Sequence, residues 1–237
     1  MTKPYLVDGV TETPYPLGRI EVPDERDRLF AAPQHAPVRL TDRTHNYHRA
    51  GWRGDQGKVK DPDGQRRSKP WCVAFAGMHL LEMMHRPGIP DTWDMRWTYH
   101  ECQKIDQWVG EDYDGTSVRA WLALMKREGV ISGYFWVPDA RTALDYIVDG
   151  DKPVIVGSKW TWDMFEPDAD GFLWPTGGTA GGHAWVANGG NRARGEVEKT
   201  GSWGLDWGDR GRAKMKVAVL DELIQDHGEA AVVELAA

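Results

Sequence analysis

The spacing of apolar residues changes once along this chain, near Val130, and that change limits the folds open to it. Before it the pattern is helical. Val118, Trp121, Leu122 and Met125 recur on one helical face, with Thr116 or Ser117 placed to cap the start and Gly129 to end it. Upstream, residues 70–85 predict a first long helix that stops before Pro87-Gly88, and residues 92–109 a second with Thr92 as its N-cap. After Val130 a short helix is predicted over residues 139–148. Pro153-Val154-Ile155-Val156-Gly157 then reads as a buried strand. Residues 183–188, 196–202, 212–219 and 230–235 read as further strands, with Asp221 capping a short helix before the last. Helices and strands segregated in this way give an α+β class, with a helical lobe over about residues 51–130 and a strand-rich, barrel-like lobe over about 131–237. Residues 1–50 are rich in Pro, Arg, Asp and His without a sustained period, and are expected to form an arm wrapping the surface.

At 237 residues the chain can bury a substantial core. A formal net charge of −7 and the lack of a Lys/Arg block argue against nucleic acid as the main partner. No apolar stretch reaches membrane-spanning length, and the first residues lack a hydrophobic export core, so a cytoplasmic location is expected. The two cysteines, Cys72 and Cys102, provide no disulfide framework and fit a reducing compartment. Cys102 falls in an amphipathic helical pattern and reads as a small buried residue. His35, His45 and His48 lie in the irregular arm without a cysteine partner, so no metal is expected there, and no cofactor motif is present. The acidic run Glu111-Asp112-Tyr113-Asp114 reads as a solvated turn, with a cleft rim that prefers basic substrates as the alternative.

The chemistry concentrates at Cys72. Pro70-Trp71 leads directly into an apolar helical run, so the thiol falls on a first helical turn. Backbone N–H groups there lack intrahelical partners, and the helix dipole adds partial positive charge; both favour thiolate, the nucleophilic form. A base must come from elsewhere. Gly181-Gly182-His183-Ala184-Trp185-Val186 presents His183 on a strand-like segment of the other lobe.

Four segments together resemble the papain-like cysteine peptidases, in particular bacterial and phage-type members. Asp55-Gln56-Gly57 is similar to the Gln-Gly segment ahead of the nucleophile, and Cys72-Val73-Ala74-Phe75-Ala76 to the helix that carries it. Gly181-Gly182-His183-Ala184 is similar to the histidine strand. Residues 202–211, Ser-Trp-Gly-Leu-Asp-Trp-Gly-Asp-Arg-Gly, follow Ser-Trp-Gly-x-x-Trp-Gly-x-x-Gly. Gly115-Thr116-Ser117, Leu17-Gly18-Arg19 and Pro23-Asp24-Glu25-Arg26-Asp27 add to the likeness. The resemblance implies a two-lobed fold with the site between lobes. It implies Cys72 as nucleophile, His183 as general base and later acid, and Gln56 as an oxyanion donor worth roughly 3 kcal/mol. Gly115 would pair with the backbone of a polypeptide substrate, and Trp203 would shield the histidine.

Departures accompany the likeness. The asparagine that orients the family's histidine is replaced by Gly201, so a water, a backbone carbonyl or Asn188 would have to serve instead. Bulky Trp71 stands where the family has a small residue and is expected to narrow the cleft. Gln56 precedes Cys72 by sixteen residues, so an insertion must loop out, and Gln65 is a second candidate for the oxyanion role. About 50 residues precede the Gln-Gly segment, fewer than in the family's inhibitory propeptides, so the chain is expected to be active as made or controlled by a protein partner or inhibitor. Three readings stand open: thiol-dependent hydrolysis of peptide or isopeptide bonds, a papain-like scaffold retained for binding, and a cell-wall amidase, the protein residing in a cytoplasm or a phage virion.

Overall fold

The structure, a computed structural model, describes residues 13–22, 24–33, 41–46, 54–85, 94–111 and 113–237. In chain order the elements are β1 (Asp42–Thr44), β2 (Val59–Lys60), β3 (Arg66–Arg67), α1 (Cys72–Met83), α2 (Met95–Ile105), α3 (Val118–Arg127), β4 (Ile131–Trp136), α4 (Ala140–Val148), β5 (Val154–Thr161), β6 (Thr179–Asn191), β7 (Glu196–Thr200), β8 (Arg212–Lys216), α5 (Val217–Gln225) and β9 (Glu229–Leu235). The class is α+β. Among the described residues three α-helices precede Val130, and the strands after it form one antiparallel sheet in the order β4-β9-β5-β6-β7-β8, with β1 added on β6.

Local chemistry accounts for the helix boundaries. Ser117 caps α3 by accepting the Ala120 N–H at 3.0 Å, and Gly129 takes the left-handed conformation (φ 68°) that ends it. The α2 cap is Asp94, which accepts the Trp97 N–H at 2.8 Å; Thr92 and Pro87-Gly88 lie outside the described residues, as do His35, His48, Pro23 and Asp112. Asp221 does not start a helix. Val219, Leu220, Leu223 and Ile224 share a buried helical face, so α5 begins at Val217 and ends the preceding strand early. The Asp221 carboxylate instead accepts the Ala140 N–H at 3.0 Å, reinforcing Asp139 at the first turn of α4. Strand β4, which pairs with β9, has no counterpart among the predicted elements because Gly133 interrupts a short run.

Every residue of α1 is buried, His79 and Glu82 included, as expected of a predominantly apolar helix enclosed by the core. It packs on β6, and the alternation of β6 divides the core in two. Ala184 and Val186 face α1 and α3, together with Ile155, Ala231 and Val233. Trp185 and Ala187 face α4 and α5 within a second cluster containing Trp160, Trp203 and Trp207. Each fully buried Leu of α1 and α3 (Leu80, Leu81, Leu122, Leu124) contributes about 2 kcal/mol relative to exposure. Among the described residues no helix is long and apolar enough to cross a membrane.

Candidate active site

Cys72 is the first residue of α1, after Trp71 at the N-cap, and is fully buried. Its sulfur accepts the backbone N–H of Ala184 at 3.4 Å. The thiol at the head of the helical lobe therefore touches β6 at the residue that follows His183. Burial pushes the thiol pKa up to about 12, against the opposing pull of the Ala184 and Val73 N–H groups.

Parity along β6 sends the His183 side chain to the face opposite Ala184, into the tryptophan cluster. The imidazole stacks on Trp203 (centroids 4.4 Å apart, planes at 20°) and meets Trp160 edge-on at 4.8 Å. It is fully buried, and neither ring nitrogen has a hydrogen-bond partner among the described residues. Burial holds its pKa well below the ordinary imidazole value, and the neighbouring Lys199 adds to that.

Gln56 is also buried at this junction. Its backbone N–H donates to the Ser202 carbonyl at 2.7 Å, and its side-chain oxygen accepts from Ser202 Oγ at 2.5 Å. Its amide nitrogen donates to the Pro16 carbonyl at 2.6 Å and the Lys69 carbonyl at 3.3 Å. Pro16 receives a second donor, Trp203 Nε1, at 3.0 Å, and the Tyr15 ring stacks on Trp203 at 4.9 Å. Residues 15–20 of the arm thus run between the lobes as a strap. Gly18 and Arg19 N–H both donate to the Gly182 carbonyl (3.1 and 3.0 Å). Ile20 N–H donates to the Thr116 carbonyl (2.8 Å), and Thr116 N–H to the Gly18 carbonyl (3.0 Å). Arg19 is buried against Glu229 at 3.1 Å, and its guanidinium also donates to the His227 carbonyl at 2.9 Å.

Glycine makes the fit: a Cβ at Gly18 would lie 2.1 Å from the Pro70 carbonyl oxygen, and one at Gly182 would lie 2.2 Å from the Arg19 carbonyl oxygen. Gly115 also borders the strap, since its Cβ would stand 2.6 Å from the Gly18 carbonyl oxygen.

The remaining expected residues fall elsewhere. Trp71 is buried inside the helical lobe, tilted against Tyr99 at 5.5 Å with the Arg96 guanidinium 5.3 Å from its ring, so it packs rather than walls a cleft. Asn188 is committed to other partners: its amide donates to the His45 carbonyl (3.1 Å) and Glu198 (3.0 Å) and accepts from Thr200 Oγ1 (2.9 Å). Gln65 is exposed on the β2–β3 hairpin, which is the insertion separating Gln56 from Cys72. That hairpin is tied down by Asp61, which bonds Arg67, Lys69 and Arg96 and whose carboxyl is held well below the usual range.

Two contributors are missing from the predicted set. One is Pro16. The other is Lys199, whose amine nitrogen is fully buried beside Gly201. Its signal was present in the alternation of residues 196–200: Lys199 shares the inward face with Val197.

No protein-family model and no curated protein matches the chain by sequence. Solved structures do match in shape. Xylellain, a cysteine protease from Xylella fastidiosa, superposes with a TM-score of 0.68 at 15% identity, covering 97% of this chain and 100% of that one. The fold is papain-like. A digestive procathepsin L2 proteinase from Tenebrio molitor larval midgut gives a TM-score of 0.62 at 17% identity over 93% of this chain and 78% of that one. Bromelain from Ananas comosus, in complex with the E64 inhibitor, gives 0.53 at 16% identity over 82% of this chain and 99% of that one.

Proposed function

We propose that this protein hydrolyses peptide or isopeptide bonds through a covalent acyl–Cys72 intermediate. One observation carries the reading: the thiol at the head of α1 abuts the histidine-bearing strand of the other lobe, 3.4 Å from the Ala184 N–H. In the first half-reaction Cys72 sulfur attacks the substrate carbonyl carbon while His183 takes the thiol proton. The negative charge on the carbonyl oxygen is met by the Gln56 amide and the Cys72 backbone N–H. His183 then protonates the leaving amine, and water attacks the thioester by the reverse route.

The arrangement described above is the closed form of that site. The Pro16 carbonyl occupies the Gln56 amide, the strap lies along the Gly115–Thr116 and Gly182 backbone where a polypeptide would pair, and the thiol is protonated and buried. A polypeptide substrate enters once residues 15–20 leave, so control by the chain's own arm joins control by a partner as a means of regulation. The test is labelling with iodoacetamide or a peptidyl epoxide, mapped by mass spectrometry, alongside hydrolysis of fluorogenic peptides before and after limited proteolysis of the arm. Selective labelling of Cys72 with matching loss of hydrolysis is expected. Hydrolysis that survives Cys72→Ala would overturn the reading. Turbidity loss of cell walls without peptide hydrolysis would redirect it to the amidase class.

A further inference from the structure

We propose that Glu229 and Gly157 form a slot for an arginine of the substrate, so that hydrolysis is directed at polypeptides carrying Arg a few residues from the scissile carbonyl. The proposal rests on the peptidase reading for its catalytic meaning, but the slot itself is defined by contacts that the strap already makes.

Gly157 and Glu229 face each other across the β5–β9 ladder. Side chains of such a pair stand on the same face of a sheet. One residue carries a carboxylate and the other no side chain, which leaves a space with an acid at its wall. Arg19 fills it. Its Nε and Nη2 donate to Glu229 Oε2 at 3.2 and 3.1 Å, and Nη2 donates also to the His227 carbonyl at 2.9 Å. A Cβ at Gly157 would stand 3.0 Å from Arg19 Nε, 3.2 Å from Glu229 Oε2 and 2.9 Å from Val118 Cγ2. Glycine therefore admits the guanidinium, and Val118 supplies an apolar wall. Arg19 is 3% exposed and Glu229 8%, and Glu229 Oε1 has no hydrogen-bond partner among the described residues.

The slot opens on the groove. The Arg19 N–H donates to the Gly182 carbonyl at 3.0 Å, and residue 19 bridges Thr116 in parallel. These are the backbone groups along which the substrate pairs in the reading above. Pro16, whose carbonyl sits on the Gln56 amide, belongs to the same short segment. An extended peptide on these groups sends alternate side chains to one face, so one of them enters the space that Arg19 vacates.

Once the strap leaves, Glu229 Oε2 loses both of its donors. The other charged groups facing it, Arg119 and Asp27, are paired with one another. A substrate with an apolar side chain in the slot leaves a buried carboxylate without a hydrogen-bond donor, whereas arginine restores the fork. A site of this kind selects by penalising the substrate that lacks the group. Lysine offers one nitrogen in place of the Nε–Nη2 pair, so arginine is preferred over lysine as well.

The test uses the full chain carrying Gly18→Val, whose Cβ would lie 2.1 Å from the Pro70 carbonyl oxygen and which keeps the strap out. A proteome-derived peptide library is digested and the cleavage sites are read by mass spectrometry; Arg should be enriched at one position relative to the cleaved bond. Matched fluorogenic peptides should favour Arg over Leu at that position on the order of a hundredfold in kcat/KM. Adding Glu229→Gln should cut that Arg-to-Leu ratio at least about tenfold, whereas a merely structural role would lower both peptides alike. If Glu229→Gln fails to fold, Gly157→Ala narrows the slot from the facing strand and should move the ratio in the same direction. Independently of catalysis, the peptide Tyr-Pro-Leu-Gly-Arg-Ile should bind the chain carrying Gly18→Val and Cys72→Ala at least about tenfold more tightly, by fluorescence anisotropy, than its counterpart with Leu in place of Arg. Cleavage without Arg enrichment, or a ratio unchanged in Glu229→Gln and Gly157→Ala, would overturn the proposal. Arg-dependent binding that Glu229→Gln abolishes, in a chain that cleaves no peptide, would count against the peptidase reading and leave the slot in place. Absence of both cleavage and Arg-dependent binding would overturn the slot too.

Discussion

Expelling the strap should convert an inert thiol into a reactive one, and Gly18→Val is the substitution to do it. A Cβ at this position would stand 2.1 Å from the Pro70 carbonyl oxygen, which is backbone and has nowhere to go, and the φ of 149° is already unfavourable for valine. Seating the strap would require breaking the hydrogen bonds that Gly18, Arg19, Ile20 and Thr116 make across the cleft, each worth about 1 kcal/mol. The strap should therefore stay out.

In the closed form a thiol of pKa about 12 leaves roughly one molecule in 10⁵ as thiolate at pH 7. Water entering the cleft removes most of the burial penalty. Even an ordinary cysteine, near 8.5, holds roughly 3% thiolate at pH 7, so iodoacetamide labelling of Cys72 should accelerate by at least about 10³-fold. Cys102, buried in α2 and also raised by burial, is the internal reference in the same digest. Circular dichroism establishes that the variant is folded. A folded Gly18→Val chain whose Cys72 labels no faster than Cys102 would refute the claim that the strap suppresses the thiol.

Other outcomes follow from the same geometry. In a strap-released background, Gln56→Ala should lower kcat/KM on the order of a hundredfold, measured with fluorogenic peptides, whereas Gln65→Ala on the exposed hairpin should leave it unchanged. Asp139→Ala removes the cap that accepts the Thr142 N–H at 2.7 Å and should cost about 1 kcal/mol in urea unfolding, without altering Cys72 labelling. His183 and Lys199 both have folded-state pKa values below their unfolded ones, so the unfolded chain binds more protons and stability should rise with pH from 5 to 8, by at most about 1.4 kcal/mol per pH unit for each group. Lys199→Met should flatten that slope in thermal unfolding; above pH 8.5 the buried thiols act in the opposite sense, which sets the upper limit of the window.

Much of the helical lobe was readable because its signals are local. The α3 stripe with its serine cap and terminal glycine, and the proline–tryptophan entry to α1, require no knowledge of the rest of the chain. The place of Cys72 on the first turn of α1 was readable for a related reason: its flanking context lies within a few residues. Asp221 shows where local reading stops. Its carboxylate caps α4 at Ala140, 81 residues earlier, and only tertiary packing brings the two together. Trp71 shows the same limit: size alone does not decide its exposure, which depends on α2 folding over it. Asn188 was plausible as a stand-in for the missing asparagine until the strand pairing of β6 with β7 committed its amide to Thr200 and Glu198.

The glycines of the cleft explain why the strap in particular escaped a reading from sequence. A groove that binds extended polypeptide must let another backbone come close, and a side chain at Gly115 or Gly182 would close it. A segment of the same chain that lies in the groove makes the same demand, so these two glycines carry the same signature whether the visitor is substrate or self. The distinction lies in the visitor. Gly18 is a glycine because the Pro70 carbonyl leaves it no room, and Arg19 brings a buried partner for Glu229. A substrate supplied from outside would not be selected to match both at once. A segment of the same chain can be, and the pairing of a glycine fitted to one lobe with an arginine fitted to the other marks residues 15–20 as a built-in occupant of the groove.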